Sequence, residues 1–162
     1  MKKLIFVRHG KAEDPAPGIS DYERSLTLKG KVITRTMGRK LKEMEKSSIT
    51  IITSPAFRAI ETALIFAMEF GIEPEKIIVN SNLYHKMNLR YLPEILSGVG
   101  ENCGTVMLFG HNPSFTEIAN SLCREGCDFM PKSGIAGISF DIQSWTEIRQ
   151  KSGKQEFFLI PD

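Results

Sequence analysis

Three short apolar runs, at residues 3–7 (KLIFV), 49–53 (ITIIT) and 105–109 (TVMLF), set the frame for what this chain can fold into. Each ends abruptly in a loop-like or polar segment, so each reads as a buried strand rather than part of a longer helix. Helical stretches separate them. Over 27–46 the apolar positions Leu28, Val32, Met37, Leu41 and Met44 fall at steps of three to five, which predicts a helix with those residues on its inner face. Ser54 and Pro55 form a helix start, with Ser able to cap and Pro at the first position, and that helix runs to 70 and stops at Gly71. Residues 89–96 and 112–123 are two more helices. Residues 77–80, 135–142 and 156–160 are further strands, the last pair antiparallel at an edge. Residues 13–25, rich in Pro, Gly, Asp and Ser, form a loop. Strands alternating with helices specify an α/β fold: a three-layer sandwich with a mostly parallel sheet flanked by helices.

With 162 residues, the expectation is a single domain spanning 1–162. A chain of that size buries roughly 70% of its unfolded surface, enough for a proper core. The net charge of +2, from 21 basic and 19 acidic residues, is too balanced to argue for nucleic acid or a membrane surface as partner. No run approaches the ~20 apolar residues of a transmembrane helix. Only four apolar residues separate Lys3 from Arg8, so no signal peptide is read there and the expected location is the cytoplasm. Cys103, Cys123 and Cys127 are odd in number and loosely spaced, which gives neither a disulfide framework nor a zinc ribbon.

The informative residues collect at strand ends. Arg8 and His9 follow the first run, Ser54 and Arg58 the second, Gly110 and His111 the third. In an open α/β sheet, ligands bind outside the carboxyl ends of the strands. If these strands are parallel neighbours, two arginines, two histidines and a helix start converge. Guanidinium forks match phosphate bidentately, and helix amides add partial positive charge, so the predicted ligand is a phosphate group.

Other phosphate chemistries lack their residues. There is no G-x-x-x-x-G-K-[ST] loop. No cysteine has an arginine six positions on, and no Asp-x-Asp pair follows a strand. A zinc site built from His9, His85 and His111 would sit beside Arg8 and Arg58, which repel a dication; no metal or cofactor is therefore expected. A histidine nucleophile remains. A neutral imidazole can attack phosphorus, form a covalent phosphohistidine and split one hard step into two, with Arg8, Arg58 and His111 holding the charge on the phosphoryl oxygens.

Four segments then resemble the histidine phosphatase superfamily, with its phosphoglycerate-mutase-like fold: "FVRHGKA" around Arg8, His9 and Gly10; "DYERSLTLKG" at 21–30; "TSPAFRAIETA" at 53–63, with Glu61 where glutamine is usual; and "MLFGHNPSF" at 107–115. The short length and the R-x-L-T-x-x-G and G-H-N-P elements resemble most the SixA-type phosphohistidine phosphatases. The resemblance implies that His9 is the phosphoacceptor, that Arg8, Arg58 and His111 form the phosphate pocket, and that Arg24 is a rim contact. Ser54 and His85 are further candidates for substrate contact. The carboxylic acid that protonates the leaving oxygen in many members is absent around Tyr84-His85-Lys86, with Glu13 and Asp14 as loop alternatives. That favours a phosphoramidate, whose leaving nitrogen can be protonated beforehand. The expected substrate is phosphohistidine on a protein, and the alternative is a small phosphorylated metabolite. A mutase is disfavoured by the little chain available for a lid. A phospho-ligand-binding module is the non-enzyme alternative.

Overall fold

The six predicted strands assemble into one sheet in the order β3-β2-β4-β1-β5-β6 in the computed structural model, which describes residues 1–84 and 87–162. The strands are β1 (Lys2–Arg8), β2 (Ile49–Thr53), β3 (Ile78–Val79), β4 (Thr105–Gly110), β5 (Ile135–Phe140) and β6 (Lys154–Leu159). Pairings β2–β3, β2–β4 and β1–β4 are parallel; β1–β5 and β5–β6 are antiparallel. Only β5 therefore opposes the others. β4 lies in the middle, with β1 and β2 on either side.

The helices are α1 (Leu28–Met44), α2 (Phe57–Phe70), α3 (Leu92–Leu96) and α4 (Ser114–Leu122). Alternating strand residues feed two cores. Leu4, Phe6, Ile52, Val106 and Leu108 pack on one face with α3 and α4, and Phe6 meets the Phe115 ring edge-on at 5.3 Å. Ile5, Val7, Ile51, Met107 and Phe109 pack on the other with α1 and α2, and Phe109 meets Phe66 at 5.2 Å. Burying each such side chain contributes about 1.5–3 kcal/mol. Among the described residues no helix is long and apolar enough to cross a membrane.

Three local expectations are corrected. Helix α1 exists, but Leu28, Val32 and Met44 are exposed; its buried side is Gly30, Thr34, Met37, Gly38 and Leu41. Small residues let α1 approach the rest of the fold closely, and a count of large apolar residues misses them. Helix α2 starts at Phe57, with Ala56 as N-cap and no side-chain cap, so Ser54 does not cap it and Pro55 is not its first residue. Its end is as expected: Gly71 adopts φ 68°, a left-handed conformation that glycine takes without a Cβ penalty. The stretch 89–96 is a 3-10 turn, Leu89–Tyr91, followed by α3.

Candidate active site

The sheet delivers the site because β1, β4 and β2 are adjacent and parallel. The ladder continues just past each strand: His9 N–H donates to Gly110 O at 3.0 Å, and Ser54 N–H donates to Phe109 O at 2.9 Å. His9, Ser54 and His111 are thereby set side by side at one end of the sheet. The His9 and His111 rings lie 5.1 Å apart.

His9 Nδ1 faces the Gly10 carbonyl at 2.7 Å. A carbonyl only accepts, so Nδ1 carries the ring proton and Nε2 keeps its lone pair. Gly10 is fixed in turn: its N–H donates to Thr62 Oγ1 of α2 at 3.1 Å. Burial is the largest influence on the His9 imidazole. The Gly10 hydrogen bond opposes it, the nearby charges of His111, Arg58 and Arg8 add to it, and the pKa falls to about 3. His111 is likewise lowered to about 4, chiefly by burial and then by Arg58. Both rings are neutral at pH 7.

The arginines are held rather than free. Arg8 lies at the end of β1; Nη1 donates to Met130 O at 3.1 Å, and burial lowers its pKa. Arg58 is the second residue of α2 and is 6% exposed. Its Nη1 donates to Asp21 O at 2.7 Å and its Nη2 to Asp21 Oδ2 at 3.0 Å. The other Asp21 oxygen accepts from Arg24 Nε and Nη2, at 3.1 and 2.9 Å, and Tyr84 Oη donates to Oδ2 at 2.9 Å. Burial works to raise the Asp21 pKa, but hydrogen bonds from Arg58, Tyr84 and Arg24 outweigh it and hold Asp21 at about 2. Asp21 is a fully ionised hub, unsuited to donate a proton.

Ser54 is fully buried, and its Oγ is spent on His111 Nε2 at 2.8 Å while accepting from Ala56 N–H at 3.3 Å. Arg24 lies at the rim, tied to Asp21 and to the Glu13 carbonyl. His85 lies outside the described residues. The segment 21–30 contains Asp21 but gives no sign of its role, because its partners Arg58 and Tyr84 are 37 and 63 residues away. Glu61 takes the usual place of glutamine by accepting from Leu26 N–H at 3.0 Å, as a glutamine carbonyl could.

Among the described residues, the buried side-chain nitrogens with no hydrogen-bond partner are Arg8 Nε, Arg58 Nε, His111 Nδ1 and Trp145 Nε1. Three of the four belong to this site. Buried donors left unpaired cost about 1–3 kcal/mol each, and an oxygen-rich anion placed between the two guanidinium groups would satisfy theirs. No group of three or more His, Cys, Asp or Glu among the described residues is arranged to hold a metal ion.

A fold and a pocket of this kind define a class of phosphate-handling α/β proteins, and the sequence matches one family of that class. The model of the histidine phosphatase superfamily (branch 1) matches residues 4–81, which include Arg8, His9, Arg24 and Arg58. An uncharacterized protein of Picosynechococcus sp. is 30% identical over 141 residues, covering 84% of each chain. The chain belongs to the histidine phosphatase superfamily, and at that level it is a phosphatase. Its fold is similar to that of the protein histidine phosphatase SixA complexed with tungstate, with a TM-score of 0.81 at 21% identity over 97% of this chain and 96% of that one. It is also similar to a mycobacterial glucosyl-3-phosphoglycerate phosphatase, with a TM-score of 0.66 at 14% identity over 96% and 97%.

Proposed function

We propose that this chain is a metal-independent histidine phosphatase that works through phospho-His9, within one domain spanning 1–162, and that its substrate is phosphohistidine on a protein. The observation that carries the reading is the grouping of unpartnered Arg8 Nε, Arg58 Nε and His111 Nδ1 around a neutral His9 whose Nε2 is free. Nε2 attacks phosphorus as the bond to the leaving group breaks, and the leaving group takes the electron pair. Water then attacks the phosphorus of phospho-His9, the P–N bond breaks, and its electrons return to Nε2. Fixed donors stabilise the charge in both steps without reorganising. With Ser54 Oγ donating to His111 Nε2, the His111 ring proton sits on Nδ1 as one of those donors.

The choice of substrate rests on Asp21. It is the described carboxylate bonded to the site's arginines, and it is ionised. A phosphoramidate can leave with a nitrogen already protonated and does not need an acid. Likeness in fold to a glucosyl-3-phosphoglycerate phosphatase favours a small phosphorylated metabolite as the second reading. Cytoplasmic action fits the three free cysteines, which persist in a reducing compartment.

The test is His9→Ala together with quenching of the wild-type protein during turnover. The variant is expected to lose turnover while keeping its fold, and labelled phosphate should be trapped on wild-type His9 in an acid-labile bond. Chelators should leave the rate unchanged. Turnover by the variant within about tenfold of wild type would rule out the covalent route, since loss of a nucleophile costs far more. Binding of phosphohistidine peptide with no trapped phosphate would make the chain a binding module.

A further inference from the structure

From the nucleophile outward, the site continues as a row of rings. His9 to His111 is 5.1 Å between centroids, His111 to Tyr84 is 5.6 Å, Tyr84 to Tyr22 is 5.3 Å, and Tyr22 to Phe57 is 6.1 Å. Exposure rises along the row. His9 and His111 are 7% and 9% exposed, whereas Tyr22 and Phe57 are 38% and 42%. On the Arg8 side stands another ring, Phe129, 67% exposed and 5.7 Å from the Arg8 guanidinium carbon. Single exposed aromatic residues need no explanation. A group of them on the segments that hold the site's arginines does.

The rings are tied to the phosphate-binding parts. Tyr22 adjoins Asp21 in a 3-10 turn closed by a Ser20–Glu23 capping box. Phe57 adjoins Arg58. Phe129 adjoins Met130, whose carbonyl takes Arg8 Nη1. Each segment that supplies or anchors an arginine thus also carries an exposed ring. Displacement by His9 sends the leaving group to the side of phosphorus away from Nε2.

We propose that Tyr22, Phe57 and Phe129 are specificity residues that hold a planar ring on the leaving-group side, so that the site selects phosphoryl groups carried on an aromatic or heteroaromatic ring. This rests on the phosphatase reading above and deepens it. Edge-on and offset contacts between rings favour a flat ring over a saturated one of similar size. The imidazole of a phosphohistidine and the phenol of an aryl phosphate share this chemistry.

The experiment compares phenyl with cyclohexyl compounds, which differ in planarity at similar bulk. Affinities for phenylphosphonate and cyclohexylphosphonate, and kcat/KM for phenyl and cyclohexyl phosphate, are measured for wild type and for Tyr22→Leu, Phe57→Leu and Phe129→Leu, singly and combined. Tyr22→Phe and Phe129→Tyr serve as conservative variants. Wild type should prefer phenylphosphonate. The combined variant should lose about tenfold of the phenyl-to-cyclohexyl ratio in both measurements, and the conservative variants should keep it. A ratio unchanged by the leucine variants, or equal affinity of wild type for the two phosphonates, overturns the proposal. Phosphonate binding needs no turnover, so it decides the matter even if no phosphate is trapped on His9, the result that counts against the phosphatase reading itself. Phosphohistidine peptide run beside phenyl phosphate identifies the source of the ring: the one with the higher kcat/KM, lowered by the leucine variants, is the ligand these side chains fit.

Discussion

Asp21 is the residue on which the two outer arginines depend. Arg58 is nearly buried, and both its terminal nitrogens rest on Asp21, one on the backbone carbonyl and one on the carboxylate. Asparagine keeps an oxygen acceptor for Arg58 and Tyr84 and removes the charge. Alanine removes the acceptor and leaves only the backbone contact. Asp21→Ala is therefore expected to lower kcat by on the order of 10²-fold, because a guanidinium displaced by about 1 Å no longer meets the developing charge. Asp21→Asn should recover most of kcat and should lower KM, since one negative charge no longer opposes the incoming phosphate. Steady-state kinetics on the two variants checks this. Equal kcat values for the two would mean that Asp21 acts through its charge alone and does not position Arg58.

At the scale of elements, the loop after β1 is wedged between α1 and α2. A Cβ on Gly10 would collide with Thr34 Oγ1 of α1 and come within 3.2 Å of Ser133 Oγ and 3.3 Å of Gly30 O. Thr34 cannot easily yield, because it is buried and its hydroxyl pairs with Ser133 at 3.1 Å. Gly10→Ala should thus destabilise the fold by about 1–3 kcal/mol, as overpacking does, and should weaken the Gly10–His9 contact that sets the His9 tautomer. Chemical denaturation measures the first effect. A variant as stable as wild type would mean that α1 shifts freely. The same packing explains what was legible in the sequence. Strand runs were plain, because β1, β2 and β4 are buried on both faces, and their polar ends pointed to His9, Arg58 and His111. The inner face of α1 was not, because it is built of Gly30, Thr34 and Gly38, which carry little hydrophobic signal. Ser54 next to Pro55 reads as a cap by local rules, yet its hydroxyl is drawn 57 residues along the chain to His111. Asp21 and Tyr84 were hidden for the same reason: their bonds are tertiary, and no local pattern encodes them.

For the whole molecule, the two buried imidazoles couple the site to stability. In the unfolded chain a histidine takes up a proton near pH 6.5, whereas His111 waits until about pH 4 and His9 until about pH 3. Above pH 6.5 neither state is protonated and the pair has no effect. As pH falls below 6.5 the unfolded chain binds more protons than the folded one, so stability is lost, progressively, until the folded rings also titrate near pH 4 and 3. The sign follows from the depressed folded values: neutral histidine is the form the fold accepts. The slope is about 1.4 kcal/mol per pH unit for each proton difference. Asp21 adds its own loss lower down, between its ordinary value of 3.8 and about 2. Urea unfolding of wild type and of the His9→Gln/His111→Gln double variant, followed from pH 7.5 to pH 4.5, separates the histidine contribution from that of the carboxylates. Wild type should weaken steeply over that range, and the variant, which has lost both titrating rings, should weaken much less. Parallel curves would mean that His9 and His111 are protonated in the folded protein near pH 6.5, and the neutral nucleophile would then be wrong.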